Sequence, residues 1–221
     1  MVSFWDEDPN LLRSCFDGMT KLGVTHVVAV DGVLDLYPGG ESNSAVYKHK
    51  IILEMTEARG MDLLLYRNQE RWTGNEVGKR QFMLDLALAI TTAEDWLLVW
   101  DTDYVLLEPF HPRYLLEHTD LNFADVSYGE DPDHLYHARL LMRAQTGLQL
   151  RTNHYAYYED LTDVIGSWFL PDNRRDGGEN PQALDLTKLI RVHHDHSLRP
   201  QERLDGRTVF YERRDEQKVE W

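Results

Sequence analysis

Apolar positions recur along the first hundred residues with two alternating periods. From Pro9 onward Leu11, Leu12, Cys15, Phe16 and Met19 fall three and four apart, the spacing that lines one side of an α-helix. Asp8 followed by Pro9 supplies an N-cap and a favoured first position, and Gly23 marks the end. Thr25 to Val30 (THVVAV) is a β-branched run that meets Asp31-Gly32, which predicts a strand leading into a turn. After the Pro38-Gly39-Gly40 loop, Ser42 or Asn43 is placed to cap a second helix, with Val46, Ile51, Ile52 and Met55 on its buried face. Met61 to Tyr66 (MDLLLY) predicts a second strand, followed by Arg67-Asn68. A polar loop through Trp72 and Gly74 then leads to a third helix over 77–92, with Phe82, Leu86, Ala89 and Ile90 inward. Trp96 to Trp100 (WLLVW) is apolar throughout and predicts a third strand at the centre of its sheet.

Helix and strand alternate three times, the pattern of right-handed βαβ units that build one parallel sheet. In an open parallel sheet the ligand crevice lies beyond the carboxyl ends of the strands. Asp31-Gly32, Arg67-Asn68 and Asp101-Thr102-Asp103 are therefore expected to converge on one edge. From residue 107 the pattern changes. Pro109 and Pro112 punctuate the chain, and Leu121 to Tyr128, His134 to Arg143 and Leu148 to His154 read as antiparallel or mixed strands. Pro171 to Pro181 has the turn residues of a mobile loop, Leu189 to His196 reads as a short strand, and Gln201 to Gln217 as a closing helix. The expectation is one α/β domain over 1–221, parallel in its N-terminal half and mixed or antiparallel in its C-terminal half.

Length and charge narrow the function. The chain has 221 residues, enough for one large core, and no apolar run approaches a membrane span. Its start is acidic where a secretory signal is basic and then apolar, which predicts a cytoplasmic protein. A formal charge of −15 argues against nucleic acid as a partner. Cys15, the one cysteine, excludes an intramolecular disulfide and reads as a buried core residue.

The candidate chemistry starts at Asp101 and Asp103. Two carboxylates just past a buried strand need a positive neighbour, and a divalent cation, Mn²⁺ or Mg²⁺, is the obvious one. Such ions complete their shell with phosphate oxygens, which implies a bound diphosphate. His193-His194-Asp195-His196 offers further ligands at the end of another strand, with His196 preferred to His194 as the third. Lys79 and Arg80, at the start of the third helix, suit an anion. Asp31 suits a ribose or a base edge.

On these residues the chain resembles a known family. The stretch Glu76 to Leu106 is similar to the central signature of family 2 glycosyltransferases with the glycosyltransferase A-type fold: a basic pair (Lys79-Arg80), an acidic-aromatic dipeptide (Asp95-Trp96), an apolar strand and the DxD (Asp101-Thr102-Asp103). Weaker likeness covers VVAVDG, HARLLMR (His137 to Arg143), NHY (Asn153 to Tyr155) and RVHHDH, so that the resemblance spans roughly 24–196. Two positions depart from the pattern, Tyr104 and Tyr155, where relatives carry acids. The resemblance implies a glycosyltransferase A-type, Rossmann-like mixed sheet flanked by helices, with a nucleotide-sugar half (1–106) and an acceptor half (107–221). It implies metal-dependent transfer of a sugar, with inversion, from a nucleoside diphosphate sugar to an acceptor hydroxyl. Asp101, Asp103 and His196 would hold Mn²⁺ or Mg²⁺, and Asp31, Arg67, Lys79, Arg80 and Asp101 would bind the donor.

Inversion needs a base, and Glu159 and Asp160 are the candidates by position, with Glu130 and Asp131 in reserve. Tyr155, Tyr157 and Tyr158 offer ring faces to a sugar. The acceptor, whether glycan, protein, small molecule or modified nucleobase, has no motif. Two other readings stay open: a non-catalytic nucleotide-sugar or glycan-binding module, and a nucleotidyltransferase on a related sheet. A phosphatase is disfavoured because its aspartate pair follows the first strand and this one follows the third predicted strand.

Overall fold

The computed structural model describes residues 1–73, 76–108, 110–144, 148–150, 157–158 and 182–216. In chain order the elements are β1 (Val2–Phe4), α1 (Pro9–Lys21), β2 (His26–Asp31), α2 (Val46–Ala58), β3 (Asp62–Arg67), α3 (Glu76–Ile90), β4 (Trp96–Leu98) and β5 (Tyr104–Leu106). They continue as α4 (Arg113–Glu117), β6 (Phe123–Asp131), β7 (His134–Arg143), β8 (Gln149–Leu150), β9 (Tyr157–Tyr158), β10 (Leu184–Asp185), β11 (Arg191–His194) and α5 (Gln201–Glu216). The α/β class expected from the sequence holds.

The sequence reading lacks β1, β5, β9 and β10, and the one that bears most on the site is β1. It has three residues, too few to show a period, yet it takes the central position. β1, β2 and β3 pair in parallel in the order β1-β2-β3. On the free edge of β1, the Met1 nitrogen donates to Leu98 O at 2.7 Å and Trp100 N donates to Met1 O at 3.0 Å, the bonding of a parallel bridge to the chain of β4. β4 continues antiparallel onto β7, and the order runs on as β7-β6-β11-β5. Thr25 to Val30, expected to be the first strand, is therefore the second. WLLVW lies between β1 and β7, and Leu97, Leu98, Val99 and Trp100 are all buried.

Alternate residues along the strands feed two apolar clusters on opposite faces. Val27, Ala29, Leu98 and Trp100 join one with Leu12, Cys15, Phe16 and Met19 of α1 and Ile52 and Met55 of α2. Val28, Val30, Leu97 and Val99 join the other with Met83, Leu84 and Ala87 of α3. The chain thus winds outward, β1 to β3, with its helices on one face, then returns past β1 to β4 through a helix on the other. Right-handed crossovers require that change of face when the direction of winding reverses. The reversal leaves a topological switch point between the carboxyl ends of β1 and β4.

Helix starts and faces differ in part from expectation. The Asp8 carboxylate accepts from Asn10 N at 2.7 Å and caps α1 as expected, and Gly23 takes a φ of +79° just past its end. α2 is not capped by Ser42 or Asn43. It begins after Ala45, with no side-chain cap bond. Its buried stripe is Lys48, Ile52, Met55 and Thr56, four and three apart, which turns Val46 outward to 57% exposure. In α3 the inward positions are Lys79, Arg80, Met83, Leu84 and Ala87, while Ala89 and Ile90 are exposed. Phe82 and Leu86 pack partly buried against the core as expected, and the apolar template omits Lys79 and Arg80 because they are cations whose head groups bond at the strand ends.

Candidate functional site

The chain leaving β1 reads Trp5-Asp6-Glu7, and it turns sharply at Asp6, whose φ is +47°. The chain leaving the Trp96–Trp100 run reads Asp101-Thr102-Asp103. Between them lies a cleft of about 150 Å³ whose walls include Glu7, Asp101, Asp103, Lys79, Arg80 and His194. Arg199, Arg203 and Arg207, from α5 and the turn before it, also line the cleft.

Asp103 is the centre of the polar network. It is fully buried, and its Oδ2 lies 2.8 Å from His194 Nε2, 3.1 Å from His196 Nδ1 and 3.3 Å from Arg199 Nη2. Its Oδ1 is buried with no hydrogen-bond partner among the described residues. Burial alone raises a carboxyl pKa, but the contacts from His194 and His196 and the charge of Arg199 outweigh it, holding Asp103 well below the usual carboxylate range. β11 delivers His194 by pairing antiparallel with β5, where His194 faces Tyr104, and Asp195 N donates to Asp103 O at 2.9 Å. His196 follows in a single 3₁₀ turn, His196–Leu198, which the Asp195 carboxylate caps by accepting from Ser197 N.

Asp103, His194 and His196 each offer a ligand atom, all within 4.8 Å of one another. Two donors bonded to one small divalent ion at right angles are roughly 3.0 Å apart for bonds of about 2.1 Å. The 2.8 and 3.1 Å separations from Asp103 to the two rings match that edge. The far nitrogens are also engaged, as those of metal-bound imidazoles are. His194 Nδ1 meets the Tyr128 hydroxyl, and His196 Nε2 lies 3.2 Å from Glu130 Oε1. One carboxylate and two imidazoles suit Mn²⁺ better than the harder Mg²⁺.

Other residues expected at the site have different surroundings. Asp101 lines the cleft, but both its oxygens accept from Arg80 Nη2 at 3.0 Å, and the three-ligand group contains His194 in its place. Lys79 Nζ donates to Phe4 O at 2.9 Å and Gly32 O at 2.6 Å, tying together the ends of β1 and β2. Asp31 is buried and is not among the residues that line the cleft. Its carboxylate accepts from Gly32 N, Ser44 N and Ser44 Oγ and lies 2.6 Å from His49 Nε2, so its acceptor positions are taken within the protein. Arg67 is exposed on the edge strand β3, outside the cleft lining. Asp131 is the last residue of β6, where its carboxylate accepts from Asp133 N and lies near His134 Nδ1. Glu159, Asp160 and Tyr155, and the side chains of Tyr157 and Tyr158, lie outside the described residues.

Sequence reasoning missed the cationic and aromatic walls. Glu7 is 4% exposed and lies 3.1 Å from Arg203 and 3.8 Å from Arg199. The Arg203 guanidinium stacks over the rings of Trp5 and Tyr37, at 4.4 and 5.3 Å. The signal for Arg203 and Arg207 was their spacing, four apart on one side of α5, whereas Arg199 precedes the helix in extended backbone and had no such signal. The signal for Glu7 was hidden with the three-residue strand before it.

The chain matches no protein-family model, and no curated protein matches it. Among the described residues no helix is long and apolar enough to cross a membrane.

Proposed function

We propose that the chain is a metal-dependent glycosyltransferase of the glycosyltransferase A type, moving a sugar from a nucleoside diphosphate sugar to an acceptor hydroxyl. The observation that carries the reading is the Asp103, His194 and His196 group at the switch point, with a buried Asp103 oxygen that has no hydrogen-bond partner among the described residues, beside a cleft rich in arginine. The strand order around β1 and β4, and the mixed sheet beyond, fit that fold type.

A divalent ion held there would neutralise charge that grows on the diphosphate as the bond to the sugar breaks. The protein's own groups do the rest. Arg199, Arg203 and Arg207 line one side of the cleft with donors suited to phosphate oxygens. Arg80 orients Asp101, and Lys79 fixes the cleft floor through two carbonyls. Trp5 and Tyr37 present ring faces next to Arg203, where a nucleobase would stack. Tyr128 and Glu130 aim the two imidazoles. That role suits Glu130 better than general base does, because its carboxylate already faces His196.

A set of two histidines and one carboxylate also suits non-haem iron. The arginines around it favour an ion shared with a phosphate ligand. The test is thermal melting with Mn²⁺, with uridine and guanosine diphosphates, and with both. The reading expects a diphosphate-dependent shift that requires Mn²⁺ and is lost in Asp103→Ala. A shift with Fe²⁺ alone, indifferent to every diphosphate, would overturn it.

A further inference from the structure

Arg199 stands between the two acidic centres of the cleft. Its Nη2 is 3.3 Å from Asp103 Oδ2, 3.4 Å from Thr102 Oγ1 and 3.8 Å from Glu7 Oε1. Its Nε is buried and has no hydrogen-bond partner among the described residues. The residue follows the 3₁₀ turn that carries His196, and its backbone N–H donates to His196 O at 3.0 Å, so the guanidinium and a candidate ligand share one short rigid turn.

Asp103 Oδ2 is approached by both imidazoles and by this guanidinium. A divalent cation taken up by the same oxygen meets a positive charge already beside it, and like charges a few ångströms apart oppose each other. Glu7, on the other side of the guanidinium, offers an alternative partner and already holds Arg203. A diphosphate entering the cleft gives Arg199 a better one, since the guanidinium fork matches phosphate oxygens.

Resting on the metal-site reading above, we propose that Arg199 is a coupling residue: it stands in for the cation at Asp103 when the cleft holds no ligand, and it transfers to the diphosphate when metal and diphosphate bind together. Metal binding alone is thereby held weak, and each ligand strengthens the other, by the same factor in both directions. Arg199 acts through Asp103 and the diphosphate and takes no part in bond making.

The test is Mn²⁺ titration by calorimetry of the full chain, alone and with saturating inorganic pyrophosphate, a probe that needs no knowledge of the base. The complex the two form in free solution is subtracted. In the parent protein pyrophosphate is expected to tighten Mn²⁺ binding on the order of tenfold or more. In Arg199→Gln, Mn²⁺ alone is expected to bind about tenfold more tightly, with the enhancement by pyrophosphate cut at least about fivefold. Arg199→Lys, which keeps the charge but not the fork, is expected to leave Mn²⁺ alone weakly bound while cutting the enhancement by pyrophosphate at least about threefold, and it serves as the test if Arg199→Gln does not fold. A merely structural arginine predicts weaker Mn²⁺ binding in both variants with an unchanged enhancement, and that result overturns the proposal, as does pyrophosphate without effect on the parent. If Mn²⁺ does not bind the parent at all, the metal-site reading itself fails; if it binds there and the variants match the parent, only the coupling role does.

Discussion

Asp31 and Cys15 show how burial separates structural from chemical roles at single positions. The Asp31 carboxylate accepts three bonds from Gly32 and Ser44 and sits against His49, all in the interior. Its replacement by Ala strands those donors, and urea denaturation is expected to show a loss of about 3 kcal/mol. Diphosphate binding to the protein that remains folded is expected to match the parent, against the role in ribose binding expected from sequence. Cys15 is completely buried, and burial pushes its thiol far above its usual pKa of 9.0. A pKa raised in the folded state means that the contribution is complete below the unfolded value and is lost as pH rises past it. Above pH 9 the unfolded thiol ionises and the folded one does not. Stability is expected to fall more steeply in the parent than in Cys15→Ala, by up to about 1.4 kcal/mol per pH unit. In the native protein Cys15 is expected to resist thiol reagents until denaturant is added.

At the scale of elements, α5 decides the shape of the cleft. Gly206 is buried where α5 meets Tyr37, whose hydroxyl donates to Arg203 O at 2.9 Å. A Cβ built on Gly206 would lie 2.2 Å from that hydroxyl, so Gly206→Ala must displace either the ring or the helix. Overpacking of this kind costs about 1–3 kcal/mol. The expected result is a lower melting temperature and weaker diphosphate binding, because Arg203 and Arg207 move with α5. Mn²⁺ binding alone is expected to be largely retained, since its candidate ligands belong to β11, the 3₁₀ turn and the segment after β4. Equal loss of both would mean that α5 supports the whole site rather than one wall.

The elements also show what the sequence made legible. α1, β2, β3, β4, β6, β7 and α5 could be read within a few residues because each is long enough, or apolar enough, to display its period. β1 could not, for Val2 and Phe4 are only two inward positions and the chain then turns acidic. That omission shifted the strand count by one and hid Glu7. The α3 stripe was misread because Lys79 and Arg80, charged and buried, broke the apolar pattern. At the candidate site, Asp103 and the late histidines were singled out as carboxylates and imidazoles just past strand ends, and the structure brings Asp103, His194 and His196 together. Arg67 and Asp31 were placed there by the rule that strand ends converge, but β3 is an edge strand and Asp31 turns into the interior.

Across the whole molecule, a chain of formal charge −15 carries a cleft in which Lys79, Arg80, Arg199, Arg203 and Arg207 outnumber Glu7, Asp101 and Asp103. Reversal of sign inside a low-dielectric cleft focuses the field on a small anion while the outer surface repels polyanions. Diphosphate affinity is accordingly expected to fall as sodium chloride is raised from 50 to 500 mM, and single-stranded nucleic acid is expected not to bind over the same range. An affinity indifferent to salt would indicate that the arginines are occupied within the protein.

The central claim is that Asp103, His194 and His196 hold one divalent ion at the switch point of the sheet. Anomalous diffraction at the manganese edge, from crystals grown with Mn²⁺ and uridine diphosphate, addresses it directly. The account predicts a single strong peak about 2.0–2.3 Å from an Asp103 oxygen and from one nitrogen of each imidazole, with diphosphate oxygens completing the shell. It is contradicted if uridine diphosphate occupies the cleft and no manganese peak lies within about 2.5 Å of Asp103, His194 or His196.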